Sequence, residues 1–91
     1  MYKVRYSKAF KKSLKRIHNS GLKNIKEEVI EISHKISCGI KLDQRLRDHQ
    51  LSGKWDNFRE CHVKSDLLLI YKIEEDELVL VDIGSHSQLF K

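Results

Sequence analysis

Three of the five histidines stand in segments where a small basic protein could use them for acid–base chemistry. His49 lies in RDHQLSGKW, His62 in FRECHV and His86 in GSHSQLF, the stretch that runs up to residue 90. Asp66 follows His62 by four residues, at the turn into the next strand-like run, where a carboxylate can orient an imidazole and raise its basicity. Histidine takes and gives protons near neutral pH, so one imidazole can act as base and another as acid in one reaction. Several imidazoles, a carboxylate and a surplus of cations suit cleavage of a ribose phosphodiester. The 2′-OH attacks the neighbouring phosphorus, a base removes its proton, and an acid protonates the departing 5′-oxygen. Cations stabilise the charge that builds on phosphorus. His49, His62, Asp66 and His86 could also hold a transition ion. The chain has no CxxC or HxxxH pair, however, and nothing in the spacing demands a metal, so neither metal nor other cofactor is expected. His18 and His34 fall in helical stretches beside basic or polar residues and read as surface positions.

The charge is unevenly spread. Residues 1–26 carry nine Lys/Arg and no acid, whereas the remaining 65 carry nine against thirteen Asp/Glu. A polyanion is the natural partner of such a front, and nucleic acid is the commonest one. The bland reading, a lysine-rich helix kept soluble, does not require so complete an exclusion of acids. A chain with 34% charged and 40% apolar residues can bury a core and is not disordered. Two cysteines, Cys38 and Cys61, make neither a disulfide framework nor a zinc site. With no signal-like segment and no long apolar run, a cytoplasmic protein without membrane contact is expected.

The elements that must position the histidines follow from periodicity. YKVRY (2–6) alternates as a short strand. Ser7 caps a helix whose buried face is Phe10, Leu14 and Ile17, and Lys11, Lys12, Lys15 and Arg16 lie around the rest. Gly21 stops it. A second helix, from about Leu22 to Ser37, buries Ile25, Val29, Ile32 and Ile36 and ends at Gly39. Residues 40–56 read as a loop anchored by Leu42, Leu46, Leu51 and a substantially buried Trp55. Three strands close the chain, at 58–63, 67–73 and 77–83, as an antiparallel meander. The expectation is one α+β domain over residues 1–91, ordered β-α-α-β-β-β, with the helical hairpin on one face of a mainly antiparallel sheet. The other face would stay partly open. With Cys61 and Val63 pointing into the core, Glu60 and His62 point to that open face.

These residues carry a family resemblance. RDHQLSGKWDNFRECHVKSDLLLIY followed by LVLVDIGSHSQLF resembles the YafQ-like branch of the RelE/ParE superfamily, toxins of bacterial type II toxin–antitoxin systems. The match runs from about Arg47 to Phe90. The resemblance implies an endoribonuclease that cuts mRNA in the ribosomal A site and stops translation. It implies a cognate antitoxin, with operator DNA met only through the antitoxin complex. Carried over by position, His49 is the loop histidine, His62 and Asp66 the central pair, His86 a general acid or base, and Phe90 the terminal aromatic. The family often has arginine four residues before that last histidine, where this chain has Asp82. Arg47, Lys54 and Arg59 are the cations that could replace it. The second reading is a non-catalytic toxin of the same fold that acts by binding its antitoxin, an operator complex or a protein target.

Overall fold

The computed structural model describes residues 1–64 and 66–90. The elements are β1 (Lys3–Tyr6), α1 (Lys8–Asn19), α2 (Ile25–Ser37), β2 (His49–Gln50), β3 (Arg59–Lys64), β4 (Leu67–Glu74), β5 (Glu77–Gly84) and α3 (His86–Leu89). Short 3-10 turns at Gln44–Leu46 and Gly53–Trp55 flank β2. The five strands form one sheet in the order β1-β5-β4-β3-β2, parallel between β1 and β5 and antiparallel elsewhere. The α+β class, the helical hairpin and the meander are as the periodicity predicts.

Local chemistry accounts for the helix limits. The Ser7 hydroxyl accepts from the Phe10 amide and caps α1. No acid stands anywhere in KAFKKSLKRIHN, so the whole helix is cationic. The second helix begins at Ile25, three residues later than expected, because Asn24 takes a left-handed conformation at φ 64° that no helix can include. Gly39, at φ 75°, follows its C-terminal cap.

Both helices bury their stripes against one sheet face. Phe10, Ile17, Ile25, Val29, Ile32 and Ile36 pack with Cys61, Leu69, Tyr71, Leu78, Leu80 and Ile83, while Leu14 is only partly buried. Burial, reinforced by Asp48 and Glu60 nearby, pushes the Cys61 thiol up to about 12, so this cysteine is a core group and not a nucleophile at neutral pH.

The other face differs from expectation. Leu68 and Ile70 lie there, paired with His62 and Glu60, and yet both are fully buried. Loop and tail roof this face. Trp55 sits edge-on between Phe58 and Phe90, at centroid distances of 5.3 and 5.5 Å, and Leu89 comes over Gly84. Trp55 itself is half-buried, since it forms part of the roof instead of lying beneath it.

Candidate functional site

The capped tail explains how His86 reaches the sheet. Ser85 starts α3 with a reciprocal capping box: its hydroxyl accepts from the Gln88 amide, and the Gln88 side chain accepts from the Ser85 amide. The S-x-x-Q spacing was visible in SHSQ, but a helix of four residues leaves no periodicity to support it. Gly84 leaves room for this return, because a Cβ there would lie 2.9 Å from Gln88 Oε1 and push it off the Ser85 amide.

Asp66 holds His86. Its Oδ1 accepts from the His86 backbone amide at 3.3 Å and faces ring Nδ1 at 3.2 Å. Those two bonds keep the Asp66 carboxyl below the usual carboxylate range, the side-chain bond contributing most. Nearness in sequence assigns this carboxylate to His62. The structure gives it to His86, because the turn before β4 and the end of β5 meet across the sheet. Nδ1–H is thereby directed at Asp66. Nε2 has no hydrogen-bond partner among the described residues, and the side chain is 59% exposed.

His49 and His62 meet a different carboxylate. Register pairs His49 with Glu60, and Glu60 Oε1 is 3.2 Å from His49 Nε2 and 3.9 Å from His62 Nε2. Glu60 is only 4% exposed, and its Oε2 has no hydrogen-bond partner. The other His49 nitrogen, Nδ1, donates to the Arg47 carbonyl at 2.6 Å. A carbonyl only accepts and a carboxylate accepts, so this pair of contacts is complete when both ring nitrogens carry hydrogen. Strand parity puts Glu60 on the face of His62, but nothing in its sequence context marks it as part of the site.

The rings form a row. His62 and His86 lie 6.1 Å apart between centroids, and His86 and Phe90 are also 6.1 Å apart, which leads on to Trp55. His49, Glu60, His62, Asp66, His86 and Phe90 are thus gathered on the face opposite the helices. Among the described residues no three His, Cys, Asp or Glu side chains are arranged to hold a metal ion.

The cations divide. Arg47 and Lys54 remain exposed on the loop segment around His49. Arg59 does not join them. It is one residue from Glu60 on β3 and therefore points to the helix side, where its Nε donates to Asp48 Oδ1 and the Tyr71 hydroxyl, each at 3.3 Å. Lys11, Lys12, Lys15 and Arg16 lie exposed along α1, away from the histidine row, and His18 and His34 are exposed on their helices as expected.

Asp82 also turns from the row. The ladder shifts register between Ile70 and Tyr71, so that Leu80 and Ile83, three apart, both enter the helix-side core. At this bulge Asp82 Oδ1 accepts from the Ser13 hydroxyl of α1 at 2.6 Å and from the Ile83 amide at 2.8 Å. Asp82→Arg is therefore expected to lose about 1–3 kcal/mol in urea unfolding, by stranding the Ser13 hydroxyl, and to bring no gain in cleavage. Faster cleavage by that variant would show that the position does face substrate.

With fold and site in view, the class is that of a small toxin built on one mixed sheet. The family described as bacterial toxin of type II toxin–antitoxin system, YafQ, matches residues 2–91. The chain belongs to that family, and a protein antitoxin is the partner that defines such a toxin. A Haemophilus influenzae protein named for YafQ is 35% identical over 91 residues, covering 94% of this chain and 89% of that one. The Escherichia coli mRNA interferase toxin YafQ is 36% identical over 55 residues, 60% of each chain. A metal-bound toxin from Helicobacter pylori superposes with a TM-score of 0.90 at 38% identity, covering 99% of this chain and 100% of that one. YafQ in the E. coli DinJ–YafQ complex superposes with a TM-score of 0.86 at 26% identity over the full length of both chains.

Proposed function

We propose that the histidine row cleaves mRNA in the ribosomal A site by metal-free transesterification, and that the cognate antitoxin suppresses it. The observation that carries this reading is the pair of hydrogen bonds that Asp66 accepts from His86, which holds Nδ1–H and leaves Nε2 facing solvent. In that tautomer Nε2 is a lone-pair acceptor for the ribose 2′-OH proton. The freed 2′-oxygen attacks phosphorus, the P–O5′ bond breaks, and a proton passes to the 5′-oxygen. The products are a 2′,3′-cyclic phosphate and a 5′-OH. His62, between Glu60 and His86, is the proton donor in this reading. The exposed Arg47 and Lys54 supply positive potential at the phosphate, and His49, held on Glu60, positions the substrate. Phe90 offers a ring for a base beside His86. Such a toxin works in the cytoplasm, where translating ribosomes and antitoxin are found. Among the described residues no helix is long and apolar enough to cross a membrane.

The test uses purified toxin on ribosomes stalled with a defined A-site codon. Cleavage with cyclic-phosphate ends, unaffected by EDTA and stopped by antitoxin, is expected. Loss of cleavage on chelation would replace the metal-free mechanism. Tight antitoxin binding without any cleavage would establish the binding-toxin reading, although Asp82, its main support in the sequence, is turned toward α1.

The cationic face of α1 is assigned to rRNA phosphates. Each of Lys11, Lys12, Lys15 and Arg16 changed to Glu is expected to lower the slope of log K against log salt by about 0.7–0.9 for ribosome binding. Antitoxin binding should be largely retained. An unchanged slope would make this face a solvated surface only.

A further inference from the structure

We propose that Asp48, Arg59 and Tyr71 form a positioning device that holds His49 in the histidine row, although none of the three touches substrate. The inference rests on the place given to His49 above. Strand β2, which carries His49, has only two residues and pairs only His49 with Glu60 and Gln50 with Arg59. It lies at the sheet edge, so among the described residues no strand pairs with its outer side. Beyond these rungs one backbone bond, from the Leu51 amide to the Phe58 carbonyl at 2.9 Å, continues the pairing. So short a ladder holds register weakly, and a slip of one residue would exchange the faces of Asp48 and His49. Arg47, immediately before, has φ 49°, a conformation that a non-glycine residue keeps only when its surroundings impose it.

The side-chain cluster on the helix side supplies what the ladder lacks. The Tyr71 hydroxyl donates to Asp48 Oδ1, and Arg59 Nε–H donates to the same oxygen and to the Tyr71 oxygen, both at 3.3 Å. Tyr71 is 1% exposed and belongs to central strand β4, so the anchor is rigid. Burial first, and then the bond to Asp48, raise the Tyr71 phenol far above its ordinary range, so it remains a donor at any working pH. With Asp48 drawn to the helix side, alternation sends His49 to the opposite side. There Arg47 O takes its Nδ1–H and Glu60 meets its Nε2.

The test is Tyr71→Phe, which removes the donor and keeps the ring, beside Asp48→Ala and the conservative Asp48→Asn. Long-range 15N–1H NMR reads the hydrogen on His49 Nδ1, and single-turnover cleavage on ribosomes reads rate and binding separately. Tyr71→Phe and Asp48→Ala are expected to replace the fixed His49 Nδ1–H signal with an averaged ring. They should lower the cleavage rate about 10²-fold with ribosome affinity unchanged. Asp48→Asn, which still accepts, should recover most of both. Combined with His49→Ala, Tyr71→Phe should slow cleavage no further, because the clamp acts through that ring. An unchanged His49 signal, or an equal loss in the His49→Ala background, would overturn the proposal. Should Tyr71→Phe fail to fold, Asp48→Ala at the half-buried loop end decides by the same readouts. If wild-type protein does not cleave at all, the functional reading fails, while the NMR comparison still decides the clamp.

Discussion

His86→Ala is expected to lower the rate of A-site mRNA cleavage by about 10²–10⁴-fold, the range for losing a positioned proton-transfer group. Growth arrest on induction should disappear with it. The side chain is 59% exposed, so no core contact is lost, and the urea midpoint and antitoxin binding should stay close to wild type. His18→Ala and His34→Ala, both exposed on helices, should leave cleavage unchanged. The same variant has a spectroscopic signature. The bonds from His86 hold the Asp66 carboxyl below the usual carboxylate range. Removing the imidazole should move that titration, followed by 13C NMR of the carboxyl, upward toward the ordinary value. In wild type the Asp66–His86 contact is complete above the ordinary carboxylate range and is lost as pH falls through the depressed value. Cleavage by His86→Ala within a few-fold of wild type would remove His86 from the reaction. An unmoved Asp66 titration would show that the tail is held by something else.

Phe10→Ala is expected to cost about 3–5 kcal/mol of unfolding free energy, the usual loss for a buried phenylalanine. Phe10 is 1% exposed and stacks on Tyr6 at 5.8 Å, joining α1 to the end of β1. A domain of this size has about 5–15 kcal/mol in all, so the loss is a large share of the total. It should appear as a lower urea midpoint with little change in slope. Lys12→Ala on the exposed side of the same helix should stay within about 0.5 kcal/mol. A loss below about 1 kcal/mol for Phe10→Ala would mean that α1 is not seated on β5 as described. The Ser13–Asp82 bond depends on that seating, so the two losses should be less than additive.

Much of this protein could be read from local pattern. The stripes Phe10, Leu14 and Ile17, and Ile25, Val29, Ile32 and Ile36, repeat at helical spacing because each helix buries one side. The apolar runs at 67–73 and 77–83 are strands because both of their faces are covered. Alternation alone put Glu60 and His62 on one face. The motif residues from Arg47 to Phe90 carried the likeness to the toxin family, and the charge of the first helix is a matter of composition.

Tertiary structure decided which groups meet. Asp66 is four residues from His62 and twenty from His86, yet it binds His86, because strand register and the path of the tail set that distance. Alternation already sets Arg59 with Cys61, opposite Glu60 and His62; what tertiary structure added is that Asp48 and Tyr71 meet it there. Asp82 is re-aimed by a bulge, one extra residue that inverts the alternation beyond it and leaves no mark in the local pattern. The Asp48–Arg59–Tyr71 cluster ties the residue before β2 to β3 and β4 through groups 11 to 23 apart in sequence. Periodicity describes which side of its own element a residue takes. It carries no information on the register between elements, which long-range packing sets, and at this site register determines which carboxylate meets which imidazole.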